Sequence, residues 1–145
     1  MSINLQKQNS GGWKEEDELR KQVTMRVFDN YCDRQTEQEL LRTGINKFGM
    51  DSQQAKIILE MELEQLGAAN ERRLLEELEG QLHQFADKDK KLDKKERDDA
   101  LQYVCKPRTG YSKGLNYQVA DRYIAEFCRA NTVKVKVGMF KWEIP

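Results

Sequence analysis

Asp87–Glu96 reads DKDKKLDKKE, nine charged residues around a single apolar position, Leu92. One apolar stripe precedes it (Leu75, Leu78, Leu82 and Phe85) and another follows it (Ala100, Leu101 and Val104). Apolar side chains recurring every three or four residues mark an amphipathic helix on each side. Asp93 and Glu96 have the spacing of a capping box, in which two side chains satisfy the free backbone donors at a helix start. The stretch predicts a helix, an acidic turn and a capped helix.

The same punctuation extends in both directions. Residues 1–12 are polar and contain glycine, the composition of a disordered arm. Trp13 then stands either pinned to the core or exposed as an anchor. Leu19, Val23, Val27 and Tyr31 predict a first helix from about Lys14 to Tyr31. Thr36-Glu37-Gln38-Glu39 predicts the capping box of a second helix, which buries Leu40, Leu41, Ile45 and Phe48 and stops at Gly49. A third helix opens at Asp51 or Ser52, presents Ala55, Ile58, Leu59, Leu63 and Leu66, and ends at Gly67. The fourth, from about Asn70 to Ala86, leads into the acidic turn, and the fifth runs from Asp93 to Cys105. KPRTGYSKG (106–114) is a loop by its Pro and Gly. Asn116 caps a sixth helix that buries Val119, Tyr123, Ile124 and Phe127. No internal repeat stands out.

Beyond residue 131 the period changes. Val133, Val135 and Val137 alternate with lysines, as in a short strand or extended arm. The fold expected is all-α: a compact bundle of about six helices over residues 13–131, with an extended segment over 132–145 packed on the domain or on a partner.

The chain has 145 residues with 25 basic and 25 acidic side chains, net zero. The charge is unevenly spread: residues 102–145 carry eight Lys or Arg and three Asp or Glu, net +5, which leaves 17 and 22 for residues 1–101, net −5. No apolar run approaches the length of a membrane span, and MSINLQKQNSGGW lacks the apolar core of a secretory signal. Cys32, Cys105 and Cys128 are odd in number and far apart, as expected of reduced thiols in a cytoplasmic protein.

Asp87, Asp89, Asp93 and Glu96 are candidate metal ligands. A calcium-binding EF-hand loop spreads its oxygen ligands over twelve residues, with a Gly at the bend and a terminal bidentate Glu. The present stretch reads as such a loop shortened by two, with Lys90 and Lys91 in place of the central Asp and Gly. Ca²⁺ takes about six to eight oxygens, and five lysines oppose its charge. The expectation is that the carboxylates favour the helix start electrostatically, with a Ca²⁺-responsive turn as the alternative and no cofactor otherwise. FADKDKKLDKKERDDAL resembles the turn of the tellurite-resistance TerB-like helical domains and of degenerate EF-hands, over about residues 75–104. That resemblance implies an all-helical cytoplasmic protein, sometimes metal-associated, with a role in stress response or assembly.

Lys106, Arg108 and Lys113, extended by Arg122, Lys134 and Lys136, are candidates for binding phosphate or nucleic acid near a helix N-terminus. The loop is not a Walker A sequence, and a pI near 6.6 argues for a solvated, self-pairing face. Val133, Val135, Met139, Phe140 and Trp142 form the candidate protein interface, since an uncovered strand displaying them is adhesive. The single histidine, His83, belongs to no recognised catalytic motif, and catalysis is not expected. These features predict a non-enzymatic cytoplasmic helical module for protein–protein contact or assembly, pairing with a protein partner or with itself. A metal-responsive protein and a weak nucleic-acid accessory are the alternatives, and no membrane association is expected.

Overall fold

The structure is a computed structural model that describes residues 2–145, with side chains from residue 14 onward. The role expected of Trp13 concerns a side chain outside those described, and over the arm expected at residues 1–12 the backbone from Ser2 onward lies in the first helix. Among the described residues the chain is mainly helical, with six helices, as its six apolar stripes predict. It forms two compact units, residues 1–70 and residues 71–145.

The first unit contains α1 (Ser2–Arg26), β1 (Tyr31–Cys32), α2 (Arg34–Asn46), α3 (Ser52–Leu66) and β2 (Ala69–Asn70). Its helix α1 ends five residues earlier than its apolar period predicts. Asn30 turns the backbone left-handed (φ 63°), and the Asp29 carboxylate accepts a bond from the Tyr31 amide at 3.3 Å. Asp and Asn both favour such local bonds over continued helix. The start of α2 also differs from the expected Thr36 box. Asp33 is the N-cap, with its Oδ1 2.7 Å from the Thr36 amide, because a carboxylate three residues upstream reaches that donor first.

All three helices of this unit pack on one another. One core gathers Val23, Val27, Cys32, Leu40, Leu59 and Leu63, and another gathers Leu19, Met50, Ala55 and Ile58. Ile45 points outward, and Gly44 takes the buried place on α2. A Cβ there would lie 3.0 Å from Ala55 Cβ and 3.1 Å from Leu19 Cδ2, so the missing side chain lets the helices close.

The second unit contains α4 (Glu71–Ala86), β3 (Lys91–Leu92), α5 (Lys94–Cys105), α6 (Tyr117–Asn131), β4 (Lys134–Lys136) and β5 (Trp142–Glu143). Its helices also pack pairwise, burying Leu78, Leu82, Leu101, Val104, Ile124 and Phe127. The loop before α6 is drawn onto the end of α5: Leu115 donates to the Val104 carbonyl at 2.7 Å. A Cβ on Gly114 would fall 2.3 Å from the Cys105 carbonyl oxygen, so this close approach requires glycine.

The two units repeat one plan. In each, a helix gives way to an Asp-anchored bend with a left-handed residue, a two-residue strand and an Asp-capped helix. A third helix then ends in a left-handed cap (Gly67 or Thr132) and a strand parallel to the first. The caps match in detail: Ala68 donates to Leu63 O at 2.9 Å and Val133 to Cys128 O at 2.8 Å, the six-to-one bond of a Schellman turn. The repeat lies in backbone geometry and hardly at all in side-chain identity, so the sequence alone does not show it.

A candidate contact site: the acidic turn closed by a hairpin

The acidic turn and the C-terminal segment, two separate candidates in the sequence, are parts of one structure. The turn supplies β3, and β4 lies parallel to it with Lys91 opposite Lys134 and Leu92 opposite Val135. The Lys134 amide donates to the Lys90 carbonyl at 2.9 Å. The chain then doubles back so that β5 runs antiparallel to β4, with Val135 facing Glu143 and Lys136 facing Trp142. Val137 N to Lys141 O, at 2.9 Å, closes the hairpin. Across the sheet, Lys91 Nζ stands 5.1 Å from the centre of the Trp142 ring, within cation–π range.

The alternation of the tail now has a structural meaning. Successive strand side chains point to opposite faces, so Val133 is buried (1% exposed) and Val135 is half-buried, while Lys134 and Lys136 face solvent. Trp142 is half-buried against the turn. Met139 (77% exposed) and Phe140 (90% exposed) project from the tip. The five candidate interface residues thus divide into an inner foot, Val133, Val135 and Trp142, and an outer apolar tip.

The turn itself corrects the picture of a loop shortened in the middle. Counting back from Glu96 as the twelfth position puts Lys90 at the sixth, where the EF-hand has its Gly, and Lys90 indeed holds the left-handed bend (φ 59°). The first ligand position falls on Phe85, inside α4, where no oxygen is offered. The four candidate ligands have local partners. Asp87 Oδ1 is 2.8 Å from His83 Nδ1, and Asp89 Oδ1 accepts from the Lys91 amide at 3.1 Å. Asp93 and Glu96 form the reciprocal capping box, at 2.7 and 3.1 Å. Among the described residues no three or more His, Cys, Asp or Glu side chains are grouped to hold a metal ion. The residues present do not fit a calcium centre.

His83 braces the turn from the side. Its ring packs edge-on against Phe127 at 4.9 Å, and Glu79 lies 3.7 Å from Nε2. The hydrogen bond to Asp87 favours the charged imidazolium and raises the His83 pKa above its ordinary value.

The basic candidates are spread over three elements. Arg108 Nη1 is 3.2 Å from the Glu77 carboxylate and its guanidinium lies over the Tyr103 ring, so it is tied to its own unit. Lys106 and Lys113 stand on the 106–114 loop, Arg122 on α6, and Lys134 and Lys136 on β4. The start of α6, expected to attract an anion, is capped internally by Asn116, whose Oδ1 accepts from the Val119 amide at 3.1 Å.

Sequence reasoning missed a second exposed apolar feature. Ile57 and Met61, one turn apart on α3, are 47% and 51% exposed beside a groove of about 620 Å³ on the first unit. The signal was present in Ile57-Ile58-Leu59, a run wider than one buried helix face can absorb. Family models, curated proteins and solved structures all return no match to this chain. Among the described residues, no helix is long and apolar enough to cross a membrane.

Proposed function

We propose that this protein is a non-enzymatic, cytoplasmic helical module for protein–protein contact or assembly, and that its contact element is the β4–β5 hairpin. The observation that carries this reading is the outward projection of Met139 and Phe140 from a tip whose foot is fixed. Two large apolar side chains side by side in solvent are unfavourable unless covered some of the time. A disordered tail would lose chain entropy on binding, whereas this tip is already ordered by β3 and by Trp142 under Lys91. The absence of chemistry is supported by burial, which raises the thiol pKa values of Cys105 and Cys128 and so disfavours the nucleophilic thiolate.

The test is a full-length protein carrying a photo-crosslinking benzoylphenylalanine at position 140, irradiated in its native cells. Discrete heavier adducts that vanish when the probe is moved to the exposed helical position Gly80 are expected. No adduct at position 140 would remove the reading.

A further inference from the structure

We propose that the hairpin tip docks into the α1/α3 groove of a second copy of the chain, so that copies associate head to tail; this rests on the contact role given to the hairpin above. The two surfaces complement each other in shape class and in charge. The tip offers Met139 and Phe140, a compact apolar pair on a narrow support, with Lys136 beside it, while Lys141 pairs with Glu143 at 2.9 Å. The groove offers Ile57 and Met61 on one wall, with Glu16 and Asp51 at its rim. Arg20, the rim's cation, already pairs with Asp17 at 3.2 Å, leaving the acidic side chains to set the sign. A space of about 620 Å³ lies within the range that accommodates a small ligand, and so can take two side chains.

Charge on the larger scale points the same way. The unit that holds the groove, residues 1–70, has 9 basic and 12 acidic side chains (−3), and the unit that holds the tip, residues 71–145, has 16 and 13 (+3), so a head-to-tail arrangement sets opposite charges against each other. With a net charge of zero, no overall repulsion keeps the copies apart. Tip and groove are different surfaces, which makes the contact heterologous: it closes into a ring or continues as a filament, according to the rotation it imposes.

Sedimentation equilibrium of the full chain from about 10 µM to about 1 mM, the range in which a contact this small registers, provides the test. The average mass should rise with concentration and the rise should shrink with added salt. A tip variant, Phe140→Ser, and a groove variant, Met61→Lys, should each remain monomeric, with far-ultraviolet spectra and melting points like those of the parent. An equimolar mixture of the two should form a dimer and nothing larger, because only one intact tip and one intact groove can meet. Met139→Ser and Ile57→Ser supply a second pair should either first variant melt early.

Loss of assembly in the tip variant alone, with the groove variant still associating, would overturn the proposal in favour of tip-to-tip pairing. A parent that is monomeric throughout would overturn it as well. In that case adducts at position 140 with a different protein would leave the contact role standing, and their absence would remove both.

Discussion

Asn30 and Lys90 hold the same left-handed bend, with φ 63° and 59°, each one residue before a two-residue strand and three before an Asp that caps the next helix. Asn tolerates this conformation, and lysine does so only at a cost of about 1–2 kcal/mol. Lys90→Gly should therefore leave stability unchanged or raise it by up to about 1 kcal/mol, the glycine's extra unfolded-chain entropy offsetting part of the relief. Lys90→Val should lower it. Chemical denaturation of the three proteins decides the order.

Calcium should have almost no effect on the melting point. A ligand present at 100 times its dissociation constant would add about 2.7 kcal/mol, and the turn has a phenyl ring at its first ligand position. Asp93→Ala should cost about 1 kcal/mol as a lost helix cap, by the same amount in Ca²⁺ and in chelator. A larger loss in Ca²⁺ would show that the turn binds it.

Stability should depend on the protonation of His83. Its folded pKa is raised above 6.5, mainly by the bond to Asp87, so the contribution is complete below the unfolded value. It fades as pH climbs through the raised folded value. Melting points measured between about pH 5 and pH 8 should carry this decline, and Asp87→Asn should flatten it. An unchanged profile in the variant would assign the decline to another group.

Two glycines should respond in opposite ways to the same substitution. Gly114→Ala drives a methyl group onto the Cys105 carbonyl and should destabilise by at least about 1–3 kcal/mol, as overpacking does. Gly80→Ala, inside α4 with nothing within 4 Å of the added carbon, should stabilise by about 1 kcal/mol.

Truncation after Asn131 should lower the melting point, because it removes buried Val133 and strips the partner from β3. Phe140→Ser should leave the melting point alone. If both changes were silent, the hairpin would contribute nothing to the fold.

The legibility of this chain follows the range of the interactions. Caps act within three residues, and Asp51, Gly67, Asp93 with Glu96, and Asn116 all stand where the sequence put them. The helical stripes were equally clear. The end of α1 is not legible in the same way, because Val27 and Tyr31 continue its period, while Asp29 and Asn30 break it through a local bond. The parallel pairing of β3 with β4 joins residues more than forty apart, and no local pattern encodes it. The candidate site was therefore legible as two fragments, and their union was not.

The order in which the chain is made bears differently on the two halves. The strand completing the first unit, Ala69–Asn70, follows α3 directly, so that unit holds all its parts early in synthesis. In the second, Lys90 and Leu92 leave the ribosome long before Lys134 and Val135, and β3 keeps an open edge in the interval. A nascent chain that ends before Val133 thus has every element of the first unit and an unpaired β3 in the second. Chaperone demand and misfolding during translation should concentrate in that window and end when residues 133–143 emerge.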